Sequence, residues 1–379
     1  MRAISKWLLR IGLAFVLAVA VVALWKREEI ARLSAVNGLF EPGRIVENFS
    51  SMNRAFLTMP VPRGNGPVST LPETEAMALP DGAGDWIRER AVTSLLVMHD
   101  GRIAHESYHL ETGPEDRRIG WSISKSFLSV LFGIVMQDGA IASLDDPVTR
   151  YVPRLEGSAY DGATLRNVLQ MTSGVTFNED YFDYRSDINR MGRILALGGT
   201  MDGFAAGLKG RDRPAGERWS YVSIDTHVVG MVIRGATGRD LPSLLSERVI
   251  EPLGLERTPY YITDGAGVAF ALGGLSLTTR DYARFGLMVA KGGRYGGRQL
   301  VPGDWIARST RASAPTDPGE IGYGYQWWVP KGAEDGEFMA RGIYGQYIYI
   351  DQPRSVVIVL TAADLDFREP GVHDRNVAM

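Results

Sequence analysis

Hydrophobic positions fall into three regimes along the chain. Ile11 to Trp25 is an uncharged run preceded by Arg2, Lys6 and Arg10. From Trp7 to Trp25 it would span roughly 28 Å as a helix, about one hydrocarbon core. The middle of the chain has helical spacing. Phe127, Leu128, Leu131, Ile134 and Val135 share one face, and Asp138-Gly139 ends the run. Thr164 to Met171 and His227 to Ala236 also read as helices. Another runs through Met288, with Thr278 or Thr279 as its cap. No strand alternation is visible between 122 and 212. Strands are predicted on either side of that block. Ser94–His99 and Arg102–Tyr108 flank Asp100-Gly101, a hairpin signal. Tyr325–Val329, Glu337–Arg341, Tyr347–Asp351 and Ser355–Thr361 are short, β-rich and separated by Gly, Pro and Asp.

This pattern predicts three parts. Residues 1–25 are a membrane anchor or a signal segment. Residues 26–82 are a linker or wrap, with a short amphipathic helix and then Pro60, Pro62, Pro67, Pro72 and Pro80 among polar residues. Residues 83–379 are the folded body, with a mainly helical insertion at about 140–212. The apolar run ends in Ala23-Leu24-Trp25-Lys26, which lacks the small residues of a cleavage site. The expectation is therefore a single uncleaved span in the inner membrane rather than a protein secreted to the periplasm. Basic residues outnumber slightly on the N-terminal side, which places the body in the periplasm.

Composition narrows the chemistry. The 379 residues allow one large or two moderate domains. Net charge is −3, so there is no basic excess to neutralise phosphates and no nucleic-acid partner is expected. There is no cysteine, which excludes disulfides, thiol catalysis and thiolate metal sites. His105-Glu-Ser-Tyr-His109 matches H-E-x-x-H, but that pattern binds zinc from a helix. Here it falls on a predicted strand, where four residues span roughly 13 Å. No metal and no cofactor are expected.

Ser122-Ile-Ser-Lys125 heads the first predicted helix. One turn separates the two side chains and puts them on one face. A neutral lysine there can take the serine proton. The helix N-terminus favours negative charge developing beside Ser122. Further on, Pro214-Ala-Gly216 delivers Tyr221 ahead of a helix. The G-x-S-x-G elbow of α/β-hydrolases is absent, because Gly120-Trp-Ser122-Ile ends in Ser124.

Taken together, the motifs resemble those of the serine β-lactamase-related hydrolases. That superfamily includes class C β-lactamases, penicillin-binding proteins, class C-type esterases and 6-aminohexanoate-oligomer hydrolases. The likeness runs from about Ser94 to Ala362. It rests on Ser122-x-x-Lys125, Leu169-Gln-Met-Thr-Ser-Gly174, Pro214-x-Gly216 before Tyr221, Pro252-Leu-Gly254, Gly273-Gly-Leu-Ser-Leu-Thr-Thr279, Tyr323-Gly-Tyr325 and Gly342-x-x-Gly345-Gln346. The resemblance implies an α/β fold, a five-stranded antiparallel sheet flanked by helices with an inserted helical domain. It implies a serine hydrolase that cleaves a small ester or amide through an acyl-enzyme on Ser122. Lys125 and Tyr221 share the proton work, and which of them is the base is left open. The oxyanion hole is assigned to the backbone N–H groups of Ser122 and Ile343. Tyr181 or Tyr184 is the substrate-facing tyrosine. Ser223, Tyr325, Arg341, Gly342 and Tyr344 are further candidates for substrate contact, and Tyr323, Tyr325 and Trp327 for the opposite wall. Penicillin-binding relatives carry Asn where Ser223 stands, and Lys-Thr-Gly or His-x-Gly where Ala340-Arg341-Gly342 stands. Those departures favour the esterase and amidase branches over β-lactam or D-alanyl-peptide chemistry. The alternatives are a β-lactamase or D-alanyl carboxypeptidase-like enzyme and, from another class, a slowly acylating non-catalytic membrane sensor.

Overall fold

The computed structural model describes residues 2–379. Its centre is a seven-stranded antiparallel sheet. The strands are β1 (Val92–His99), β2 (Arg102–Tyr108), β3 (Gly322–Tyr323), β4 (Trp328–Val329), β5 (Glu337–Gly342), β6 (Gln346–Asp351) and β7 (Val356–Ala362), in the order β2-β1-β7-β6-β5-β4-β3. Five are long, as expected, and two are only two residues each. The stretch Tyr325–Val329, expected as one strand, is instead a turn followed by β4. Gln326 sits at φ +66, and its amide donates to the Val168 and Leu169 carbonyls. That anchorage leaves only Trp328 and Val329 free to pair. The β1–β2 hairpin turns at Asp100 and Gly101, both with positive φ, as a primed turn requires.

The principal helices are α1 (Arg2–Trp25), α2 (Arg27–Asn37), α3 (Ile123–Gln137), α4 (Asp187–Ala196), α5 (Ser223–Thr237) and α6 (Thr279–Ala290). Both faces of the sheet are covered, which is why β1 is buried at all but its last position. On one face lies α6, capped by the Thr278 side chain. It lies flat because Gly286 has no Cβ; one there would meet Val357 and Ile348 at 2.7 and 2.9 Å. Behind it runs α3, where Phe127 stacks on Phe285 at 3.6 Å. Nearly every side chain of α3 is buried. Its polar residues are satisfied individually: Ser126 Oγ donates to the Gln326 carbonyl and Ser129 Oγ to the Tyr325 carbonyl. The other face packs Leu95, Val97 and Leu360 against Ile87, Trp86 and Val377.

Between 140 and 212 the chain forms short helices and no strand, and includes α4. The segment before residue 83 is integral to the core. Leu39, Ile45, Phe49 and Met52 are buried. Thr58–Pro60 pairs with Tyr260–Ile262 in a second sheet that also contains Leu275–Leu277 and Arg118–Ile119. Buried Arg118 donates to Ser50 Oγ, and Arg284 donates to the Ser69 carbonyl. Helix α1 stands clear of this body, and its apolar residues from Leu8 to Trp25 are exposed.

Candidate active site

Ser122 precedes the first turn of α3. The residue before it, Trp121, has φ +46, in the left-handed region that an L side chain occupies at a cost. Aromatic packing holds it there. Phe40 and Phe49, from the N-terminal wrap, lie 5.8 and 5.5 Å from the Trp121 ring. This turn presents the Ser122 hydroxyl to the junction of the sheet and the helical layer.

Lys125 Nζ stands 2.9 Å from Ser122 Oγ and donates to the Leu272 carbonyl at 2.6 Å. The lysine is fully buried, and burial pushes its pKa down to about 7. In its neutral form, with one N–H held by Leu272, the amine can accept the serine proton. Tyr221 faces the same amine, with Nζ 5.4 Å from its ring. Burial and the Glu179 carboxylate push the Tyr221 phenol well above the ordinary tyrosine value, while Ser122 and Arg341 act in the opposite direction. The phenol therefore keeps its proton at neutral pH.

The end of β5 abuts the serine turn. A Cβ on Gly342 would meet the Gly120 carbonyl oxygen at 2.3 Å, so only glycine permits this approach. It brings Ile343 to the cavity wall beside Ser122. Tyr344 follows at φ +59, stacked on Phe40 at 4.8 Å. Thus Phe40 and Phe49 brace both the segment before Ser122 and the segment after Ile343.

Two cavities meet at Ser122. One, of about 260 Å³, runs between Phe270 and Leu272 on one side and α4 on the other, towards Val36 and Leu39. The second, of about 610 Å³, is bordered by Glu179, Tyr221, Trp328, Arg341 and Arg368. Tyr181, Phe182 and Ile343 border both.

This arrangement can be compared with known proteins. Residues 83–378 match the family model described as Beta-lactamase. The chain belongs to the β-lactamase family. It is 33% identical to the 6-aminohexanoate-dimer hydrolase of Paenarthrobacter ureafaciens over 290 residues, covering 72% of this chain and 73% of that protein. A proposed 6-aminohexanoate-dimer hydrolase from Bacillus anthracis superposes with TM-score 0.78 at 23% identity, covering 90% of this chain and 94% of that one. The octameric penicillin-binding protein homologue from Pyrococcus abyssi gives TM-score 0.61 at 21% identity, over 78% and 75% of the two chains. The protein is a hydrolase on the β-lactamase fold.

Within this β-lactamase-family site, the candidates named from sequence divide. Ser122, Lys125, Tyr221, Ile343, Tyr181, Ser223, Arg341 and Gly342 converge at the two cavities. Tyr184 borders the apolar cavity, but its ring is largely exposed and carries the Arg193 guanidinium at 4.1 Å. Tyr325 lies elsewhere: it stacks on Trp305, and its hydroxyl accepts from Arg166. Trp327 is buried against Phe285 and Phe338. Tyr344 is buried in the aromatic brace, and Tyr323 stands behind Tyr221 and Trp328. The wall residue is Trp328, which stacks on Tyr221 at 5.1 Å and receives the Arg341 guanidinium on its ring at 5.4 Å.

Glu179 was invisible in the sequence. Its carboxylate accepts from Ser223 Oγ at 2.5 Å, from the Ser223 N–H at 3.0 Å and from the Tyr181 hydroxyl at 2.6 Å. No motif marks it, because its partners are 2 and 44 residues away. The histidines require one correction. A strand's rise separates their backbones, yet His105 Nε2 and His109 Nε2 lie 3.0 and 3.1 Å from the same Ser107 hydroxyl. Residues 105, 107 and 109 alternate along β2 and just past its end, so their side chains fall on one side of the chain.

Proposed function

We propose that this β-lactamase-family hydrolase cleaves a small ester or linear amide through an acyl-enzyme on Ser122. The observation that carries the reading is the Lys125 amine, 2.9 Å from Ser122 Oγ and held near a pKa of about 7 by burial. Lys125 is the base. It takes the Oγ proton as Oγ attacks the substrate carbonyl carbon. The oxygen that becomes negative is met by the N–H groups of Ser122 and Ile343. Tyr221, protonated, lies between the amine and the second cavity and passes a proton to the departing oxygen or nitrogen. Lys125 reprotonates it in turn. Water then attacks the acyl carbonyl with the lysine again accepting the proton, the bond to Ser122 Oγ breaks, and Lys125 returns that proton to Oγ. Glu179 acts as a positioning residue: it orients Ser223 and Tyr181 and, with its negative charge, disfavours ionisation of Tyr221. Arg341 and Trp328 form the wall for the leaving group. The likeness to the 6-aminohexanoate-dimer hydrolase supports linear amides alongside esters.

We further propose that α1 remains as a single span with the body on the periplasmic side. It contains one apolar stretch, Lys6–Trp25, long enough for a span or a signal segment. The body, residues 83–379, and the wrap, residues 26–82, act as one unit in this reading.

The test combines turnover and labelling. A fluorophosphonate should label the wild type and not Ser122→Ala. Short p-nitrophenyl esters and linear amide dimers should turn over with the same dependence on Ser122. A protein that labels once and releases no further product would be a sensor, and the hydrolytic reading would be lost.

A further inference from the structure

The two cavities at Ser122 differ in chemistry. The larger is charged, bordered by Glu179, Asp180, Arg341 and Arg368. The other is an apolar groove. Leu272, Phe270, Ile188, Leu195, Val36 and Leu39 line its length from Ser122 to the end of α2. No acidic side chain borders it, and the one basic group, Arg193, is spent on the Tyr184 ring and carbonyl. Such a surface offers an ammonium no carboxylate partner and suits methylene groups along its apolar length.

The far end of the groove has a second property. It is built by α2, which is separated from α1 by the single residue Lys26. The hydrogen-bonded path barely breaks there: the Lys26 N–H donates to the Val22 carbonyl, and the Lys26 carbonyl accepts from the Ile30 N–H. Eleven residues of α2 rise roughly 16 Å, so the groove mouth stands within about that distance of the end of the apolar span. Helix α2 is fixed to the body by Arg32 Nε, which donates to the Ala196 carbonyl at the end of α4. Large apolar side chains are exposed around this side: Ile30 on α2, Leu197 just beyond α4, and Phe182 at the groove itself. Exposed apolar groups gathered at a groove mark a contact with something apolar.

We infer that the substrate is an amphiphile whose scissile carbonyl joins an extended apolar acyl chain to a polar head, and that the chain enters the groove from the bilayer surface beside α2. The acyl chain lies between Ser122 and α2, and the head group occupies the charged cavity. This deepens the acyl-enzyme reading above and rests on it.

Gly192 supplies the test. It lines the groove on α4, and a Cβ there meets only Val36 Cγ1, at an ordinary 3.8 Å. A side chain at this position therefore begins without a clash, and the ring of Gly192→Phe takes up space in the groove beside Val36. In the wild-type full chain, kcat/KM for p-nitrophenyl octanoate should exceed that for the acetate by about 10²-fold. Each fully buried methylene is worth about fourfold, and half-burial of the six extra methylenes gives that figure. Gly192→Phe should bring the octanoate-to-acetate ratio down towards one. A flat or falling chain-length profile, with acetate hydrolysis still dependent on Ser122, would overturn the groove assignment and leave the serine hydrolase intact. Binding supplies a readout independent of turnover. Dansyl-undecanoic acid should brighten with both the wild type and Ser122→Ala, and not with Gly192→Phe. Binding without any ester hydrolysis would refute the acyl-enzyme and keep the groove; no binding would refute the groove. Reconstituted vesicles separate the two sources of substrate. The full chain should cleave umbelliferyl oleate faster in its own vesicles than in added protein-free vesicles. Equal rates would point to an amphiphile taken from solution and overturn the bilayer route.

Discussion

At the scale of single residues, the site depends on burial acting oppositely on two neighbours. Desolvation lowers the Lys125 pKa to about 7 and raises that of Tyr221. A base must be unprotonated to work, so kcat/KM for a short ester should fall about tenfold per pH unit below pH 7 and level off above it. A stopped pH profile measures this; a limb near pH 10 would mean an ordinary exposed amine. Lys125→Ala and Tyr221→Phe should each lose roughly 10²–10⁴-fold in kcat, and the double variant little more than the worse single one. Asp225 shows the same effect away from the chemistry. It is fully buried, accepts from Tyr160 and Ser173, and burial raises its pKa to about 7. The folded state then holds a proton that the unfolded chain has released above about pH 4. Stability should therefore decline as pH rises from about 4 to 7. Asp225→Asn should flatten that slope in urea melts at pH 5 and pH 8, and an unchanged slope would remove Asp225 as its source.

At the scale of elements, one close approach and one aromatic brace set the geometry around Ser122 and Ile343, the proposed oxyanion site. The end of β5 reaches the serine turn only because Gly342 has no side chain. Gly342→Ala must push β5 away from Gly120. The expected loss is about 10²-fold or more in kcat, of the size seen when one oxyanion donor is misplaced. Circular dichroism should show the fold retained, and near-native kcat in this variant would place the second donor elsewhere. The brace comes from the wrap. Phe40 packs against both Trp121 and Tyr344, the two non-glycine residues held at positive φ around the site. Phe40→Ala should relax them and lower kcat about tenfold, while Phe40→Leu recovers part of it. Equal loss in both variants would show that bulk alone is not what matters.

At the scale of the whole molecule, the body carries its own N-terminal layer, and α1 projects from it. Arg118 and Arg284 tie the wrap to the second sheet and to α6 through backbone carbonyls and Ser50. The intact chain should partition with membranes, and protease added to spheroplasts should reach the body. An N-terminus that begins near residue 26 in the mature protein would identify α1 as a cleaved signal. Chelators should leave ester hydrolysis unchanged, since the His105–Ser107–His109 trio is a hydrogen-bonded group that borders neither cavity at Ser122.

Much of this was legible from local pattern. The apolar span, α3 with its serine and lysine, the Asp100-Gly101 hairpin, and β5 to β7 follow from spacing and turn chemistry, which act over a few residues. Ser122 and Lys125 are one turn apart on a single helix, so their meeting needs no long-range information. What folding in three dimensions decided was of another kind. The short strands β3 and β4 depend on Gln326 finding carbonyls more than 150 residues away. Glu179 gains its place from Ser223, and Tyr325 and Tyr344 turn into the core because their neighbours there bury them. The lysine's pKa is a property of the full enclosure, to which no short segment contributes enough. Sequence periodicity reports which face of an element is apolar, but charge, burial and close approach arise only when distant faces meet.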